Sequence, residues 1–181
     1  VDSRRLNLAA VQERKSKIVT KHAKGLEFLM KKNKVETIRG YAKLTGAAKA
    51  GVFTVEVTNA GKSSQIKAKH VILSTGSEAR MIPGLEAGDR VLTNIEILGL
   101  KEIPKSLVIV GAGAVGVEFA SIFRSFGSEV TMVEMLPRLV PIEDEEISKE
   151  LARVYRKRGI AFHTGAKVEK VEATKSGIVC T

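Results

Sequence analysis

Three glycines and one carboxylate have the types and spacing to do chemistry. In SLVIVGAGAVGVEFASIFRSFGSEVTMVE, residues 106–134, Gly111, Gly113 and Gly116 follow the apolar run 107–110, and Glu134 closes a second run at 130–133. These are the types a dinucleotide requires. The first glycine permits a tight strand-to-helix turn, the second lets bare backbone approach a pyrophosphate, and the third lets helix and strand pack closely. The free N–H groups and the positive dipole end of the helix then face the phosphates. An acidic residue about 20 residues further on accepts from the ribose hydroxyls, and Glu134 stands near that spacing. A bare GxGxxG is a weak signal that an ordinary glycine turn can produce. Here strand, turn, helix, second strand and terminal acid agree, and the stretch reads as a nucleotide site. Glu134 favours NAD over NADP, because a carboxylate accepts from two ribose hydroxyls but repels a 2′-phosphate. Arg138 is the nearby cation that could favour a phosphate, and it is expected in an exposed loop.

The elements that position these residues follow from periodicity. Residues 107–110 predict a strand buried on both faces, 114–126 a helix ended by Gly127, and 130–133 the next parallel strand. Pro137 and Pro141 mark a loop. The acidic run Glu143, Asp144, Glu145, Glu146 predicts a helix start that suits the dipole, with Ile147, Leu151, Val154 and Tyr155 inward and an end at Gly159. Strands are predicted at 160–163, 167–171 and from 178 onward. Upstream, apolar residues Val11, Ile18, Leu26 and Leu29 at helical spacing predict a helix over 8–32 with Asn7 as its N-cap and His22 packed on its apolar side. Residues 35–39, 52–57 and 66–73 lean to strand, with Asn59, Ala60 and Gly61 as a hairpin tip and 71–73 buried on both faces. Residues 78–104 lose periodicity and read as a connector with a short helix at 94–98.

Composition bounds the rest. The 181 residues carry a net charge of +10, are 44% hydrophobic and 28% charged, and include a single cysteine, Cys180. One cysteine can form neither an internal disulfide nor a cysteine metal cluster, which favours a cytoplasmic-type compartment. Cys180 itself reads as a small buried strand residue, and no metal site is expected. No apolar run approaches the ~18 residues of a membrane span, and no secretory leader is expected. The basic residues are dispersed rather than gathered with aromatics, so they read as solvated faces and not as a nucleic-acid surface.

Four segments taken together carry a resemblance: KNKVETIRGYAKLTG, KHVILSTGSEARMIPG, the glycine-rich stretch above, and DEEISKELARVYRKRGI. In this order they resemble the flavin-dependent pyridine nucleotide–disulfide oxidoreductases, and within them the dihydrolipoamide dehydrogenase branch. The resemblance implies an α/β fold: a Rossmann-like, three-layer NAD-binding domain with a parallel sheet that stops short, plus part of an FAD-binding domain with a helix and antiparallel strands. The implied bounds are 1–80 for the partial FAD domain, 81–104 for the connector and 105–181 for the NAD domain. Gly111, Ala112, Gly113, Ala114, Val115, Gly116, Val117 and Glu118 would wrap the NAD pyrophosphate and reach towards the nicotinamide, with Glu134 on the adenosine ribose and Val168 near the adenine. Ala42 would lie at the adenine of FAD, and Thr75, Gly76 and Ser77 would touch FAD.

The resemblance also implies a parent that oxidises dihydrolipoyl groups, passing electrons from dithiol to FAD to NAD⁺. Its partners would be lipoyl domains of 2-oxo acid dehydrogenase or glycine cleavage complexes and a second copy of itself, with neither nucleic acid nor membrane. The chain shows neither the CxxxxC redox motif, nor an earlier GxGxxG, nor a His–Glu proton-transfer pair. It is therefore expected to be a central piece of such a parent, to be inactive alone, and to contain no catalytic residue. Two other readings stay open at this point: a mercuric- or glutathione-reductase-like relative, and a basic module that is not an enzyme.

Overall fold

The computed structural model describes residues 6–82, 86–174 and 177–181. Residues 14–78 form one compact unit, and the described residues of 1–13 and 79–181 form another.

Helix α1, Leu8–Lys32, begins where predicted, with the Asn7 side chain accepting the Ala10 N–H at 3.1 Å. It has no buried residue. Val11, Ile18, Leu26 and Leu29 are exposed, and so is His22, which corrects its placement as a packed histidine. The periodicity predicted the helix, but a stripe is buried only where another surface meets it, and among the described residues none does.

The first unit also holds an antiparallel sheet, β1 (Tyr41–Leu44), β2 (Phe53–Asn59) and β3 (Lys62–Ala68), in that spatial order. Register explains two departures from expectation. Tyr41 lies opposite Thr58 and β2 ends at Asn59, so residues 35–39 have nothing left to pair with and form no strand. Phe53 lies opposite Ala68 and β2 begins there, so residues 71–73 run on unpaired, with Ile72 89% exposed rather than buried. The hairpin tip falls as predicted: Asn59 pairs with Lys62, leaving Ala60 and Gly61 as a two-residue loop. Ala60 holds φ +47° there. Such loops need positive φ at both positions, which costs an L residue with a Cβ roughly 1–2 kcal/mol. Ala60→Asn should therefore raise stability by about 0.5–1 kcal/mol, since Asn tolerates this conformation. A rise in the thermal midpoint of this unit checks it.

In the second unit a parallel sheet of order β4 (Ser106–Val110), β5 (Glu129–Glu134) and β6 (Ala161–Thr164) is connected through α3 (Ala114–Phe126) and α4 (Glu145–Lys157). The helix α2, Asn94–Ile97, precedes it, started by a Thr93–Glu96 capping box. Gly127 at φ +101° ends α3, and Asp144 caps α4 by accepting from the Glu146 N–H. The core joins Val117, Ala120, Phe123, Met132, Tyr155 and Ile160. Tyr155 ties α4 to α3, its hydroxyl donating to the Val117 carbonyl at 2.6 Å. Burial pushes that hydroxyl's pKa up, with Arg158 opposing the shift and Glu118 adding to it.

Three expectations change here. Residues 107–110 are not buried on both faces: Leu107 and Ile109 pack on the core, while Val108 and Val110 are each 45% exposed. The sheet's second face is only partly covered among the described residues, with Thr131 and Val133 half-buried. On α4, Ile147 is exposed and Ser148 is buried in its place, donating to the Leu139 carbonyl at 2.6 Å. The strand predicted at 167–171 is reduced to Val171, where β7 (Val171–Ala173) begins, antiparallel to β8 (Ile178–Cys180).

Candidate functional site

Alternation along β5 buries Val130, Met132 and Glu134 on one side of the strand, so the carboxylate arrives at the carboxyl end of the sheet on its covered face. The glycine-rich turn meets it there. Gly111, at φ +99°, donates its N–H to the Val133 carbonyl at 2.8 Å. Ala112, fully buried, donates to Glu134 Oε2 at 2.7 Å, and the Leu136 N–H reaches Oε1 at 2.8 Å. Two backbone donors thus fix the carboxylate, and each oxygen keeps a lone pair for another donor.

The three glycines differ in what the protein itself requires of them. Gly111 needs its left-handed φ. Gly116 needs its missing side chain, because a Cβ there would collide with the Gly111 carbonyl oxygen and press on Ile109. Gly113 needs neither. It holds φ −72° as the N-cap of α3, an ordinary conformation, and a Cβ built on it meets nothing within 4 Å. No side chain caps α3 either, so its first N–H groups open onto the same space.

Beside the turn lies a cleft of about 270 Å³, lined by Val110, Gly111, Glu134, Met135, Lys167 and Val168. The chain is drawn to it by the Gly165 N–H on the Leu136 carbonyl at 2.9 Å and the Ala166 N–H on the Glu134 carbonyl at 3.0 Å. This brings Val168, 9% exposed, into one cleft with Gly111 and Glu134. Ala114, Val115 and Glu118 are exposed, whereas Val117 points into the core. Arg138 makes no hydrogen bond to the Glu134 carboxylate; its guanidinium donates to the carbonyls of Pro141 at 3.0 Å and Glu143 at 3.1 Å, closing its own loop.

In the other unit, Ala42 sits exposed in β1 opposite Val57. Thr75, Gly76 and Ser77 are likewise exposed, and no hydrogen bond among the described residues joins the two segments. The structure therefore assembles the residues around Glu134 within one unit, and within the other it joins Ala42 to residues 75–77 by no hydrogen bond among the described residues.

Sequence reasoning missed the second contact of the turn. The Val140 N–H donates to the Ala112 carbonyl at 2.7 Å, with Leu139 and Val140 both buried. The only hint was apolar residues between Pro137 and Pro141, in a segment read as exposed loop.

Comparison with known proteins shows the family. Residues 3–181 match the family of pyridine nucleotide-disulphide oxidoreductases. The chain belongs to that family. Such proteins pair a pyridine nucleotide with a flavin-dependent disulfide chemistry. The chain is 43% identical over 176 residues to a dihydrolipoyl dehydrogenase of Bacillus subtilis, covering 94% of this chain and 37% of that protein. It is 37% identical over 177 residues to the mitochondrial dihydrolipoyl dehydrogenase of Pisum sativum, covering 97% and 34%. It spans a little over a third of the length of these curated relatives. Among solved structures, LpdA of Mycobacterium tuberculosis superposes with a TM-score of 0.89 at 24% identity, over 99% of this chain and 40% of that one, which supports the fold. The HOCl-induced flavoprotein disulfide reductase RclA of Escherichia coli gives 0.69 at 25% identity, over 97% and 39%.

Proposed function

We propose that this chain supplies the NAD half-site of a dihydrolipoyl dehydrogenase. The observation that carries the reading is the space at Gly113: the protein uses the missing Cβ for nothing of its own, and the open end of α3 faces that space. A pyrophosphate fits there, held by the N–H groups of Gly113, Ala114 and Val115 and by the helix dipole. Glu134, fixed by Ala112 and Leu136, would accept from the adenosine ribose hydroxyls, and Val168 would form the apolar wall of an adenine pocket. Glu118, exposed one helical turn further along α3, would stand towards the nicotinamide.

Residues 1–80 are proposed as part of an FAD-binding domain, with Ala42, Thr75, Gly76 and Ser77 against the flavin nucleotide. Residues 81–104 would be the connector and 105–181 the NAD domain. The flavin would relay the electron pair from a dihydrolipoyl dithiol to NAD⁺. The names of the curated relatives support that substrate class. Lipoyl domains of 2-oxo acid dehydrogenase or glycine cleavage complexes are proposed as partners, within a homodimer. No helix among the described residues is long and apolar enough to cross a membrane. A cytoplasmic location is proposed.

Calorimetric titration of the chain with NADH and NADPH tests the site. NADH should saturate and NADPH should bind at least tenfold more weakly. Glu134→Gln keeps the size of the side chain but removes the charge and turns an NH₂ donor towards the N–H of Ala112 or Leu136. It should weaken NADH by about 1.5 kcal/mol, close to tenfold, the lower range for a hydrogen bond to a charged group. Unchanged NADH affinity in this variant would exclude Glu134 as the ribose ligand, and a preference for NADPH would move the chain to a glutathione- or mercuric-reductase-like branch.

A further inference from the structure

We infer that Val140 is a positioning residue for the dinucleotide, acting through Ala112; the inference deepens the nucleotide reading above and rests on it. Val140 holds φ +41°. A β-branched residue in that region is a true outlier, and the following Pro141 restricts it further. Such conformations persist only where the surroundings over-determine them, and they gather at functional sites.

The surroundings here are explicit. The Val140 N–H is on the Ala112 carbonyl at 2.7 Å, and its own carbonyl accepts the Glu143 N–H at 2.9 Å. The preceding carbonyl, of Leu139, accepts from the Ser148 hydroxyl at 2.6 Å. Arg138 closes the loop across the carbonyls of Pro141 and Glu143. The Val140 side chain is buried, as are Leu139 and Ser148. The bonds form one line: Ser148 to Leu139, Val140 to Ala112, and Ala112 to Glu134.

Ala112 lies between the first two glycines of the turn. With its carbonyl on Val140 and its N–H on Glu134, both of its polar groups are held. Tilting the Ala112 backbone would turn the Gly113 N–H away from a pyrophosphate and release Glu134 Oε2 together. The loop thus fixes phosphate donor and ribose acceptor before the ligand arrives, which lowers the ordering cost of binding. Glycine at 140 would accept the positive φ but leave the loop free to leave it, and alanine at 148 would remove only the hydroxyl.

The test compares Val140→Gly and Ser148→Ala with the unmodified 181-residue chain, by amide hydrogen exchange without ligand and by NADH titration. In each variant the Ala112 amide should exchange at least tenfold faster while the Met132 and Val133 amides keep their protection. NADH affinity should fall about tenfold, and by a smaller factor when Glu134→Gln is already present, because the ribose arm is then already lost and only the Gly113 arm remains to lose. Unchanged Ala112 protection in the folded variants would overturn the inference. So would an equal loss of affinity with and without Glu134, which is what a general loosening of structure produces. If Val140→Gly does not fold, Ser148→Ala carries the same comparison. If the unmodified chain does not bind NADH, the nucleotide reading fails, and the Ala112 exchange rates alone decide whether Val140 holds the turn.

Discussion

Gly116→Val should cost about 3 kcal/mol or more, the upper range for overpacking, because the atom it strikes cannot move aside. A Cβ at this position collides with the Gly111 carbonyl oxygen and lies 3.4 Å from the Ile109 side chain. That carbonyl shares a peptide plane with the Ala112 N–H, so its retreat would pull the N–H off Glu134. Relief would have to come from lifting the start of α3 off the sheet, where Val117, Ala120 and Phe123 are buried. Domains have about 5–15 kcal/mol of total stability, so a large fraction would be lost. Chemical denaturation read by circular dichroism checks this, and a midpoint unchanged from the parent would contradict the packing seen here. Alanine carries the same Cβ and meets the same carbonyl, so it should be milder only by the two further methyl groups of valine.

Gly113→Ala should behave in the opposite way. Nothing lies within 4 Å of its Cβ, and the backbone is at an ordinary φ, so the fold should lose no more than about 1 kcal/mol, the difference between glycine and alanine as an N-cap. The methyl group would occupy the surface on which a pyrophosphate must sit. Pushed outward, the phosphates would lose the close approach to N–H groups at the start of α3. Each charge-assisted bond is worth about 1.5–3 kcal/mol, so NADH binding should weaken by about 3 kcal/mol, more than a hundredfold. Calorimetry on the variant, with its thermal midpoint compared alongside, separates the two effects. NADH affinity equal to the parent's would remove the observation on which the proposed function stands.

Taken as a pair, these two glycines separate a position that the protein fills from one that it leaves open within one motif. The sequence presents both as the same letter at neighbouring places. Only coordinates show that one missing side chain is filled by protein and the other by none of it.

What sequence alone determined was local. The bounds of α1 and α3, the Asn7 and Gly127 ends, the Ala60–Gly61 hairpin and the acidic start of α4 all rest on interactions within a few residues, so periodicity and capping chemistry were enough. The strand–turn–helix–strand order and Glu134 were legible for the same reason, since a βαβ unit is written in contiguous chain. Tertiary structure decided which faces are covered. Val11, Ile18, Leu26 and Leu29 of α1, and Ile72, Val108 and Ile147, are exposed because burial depends on what stands opposite, and hydrophobicity alone cannot name the partner. Residues 35–39 and 71–73 fail as strands because of where β2 begins and ends. Ala112 meets Glu134 through its N–H and Val140 through its carbonyl, and Leu136 holds the other oxygen of the same carboxylate. Each of these bonds depends on a backbone direction set by the fold. Backbone N–H and carbonyl groups are the same in every residue that carries them, so no residue type announces them.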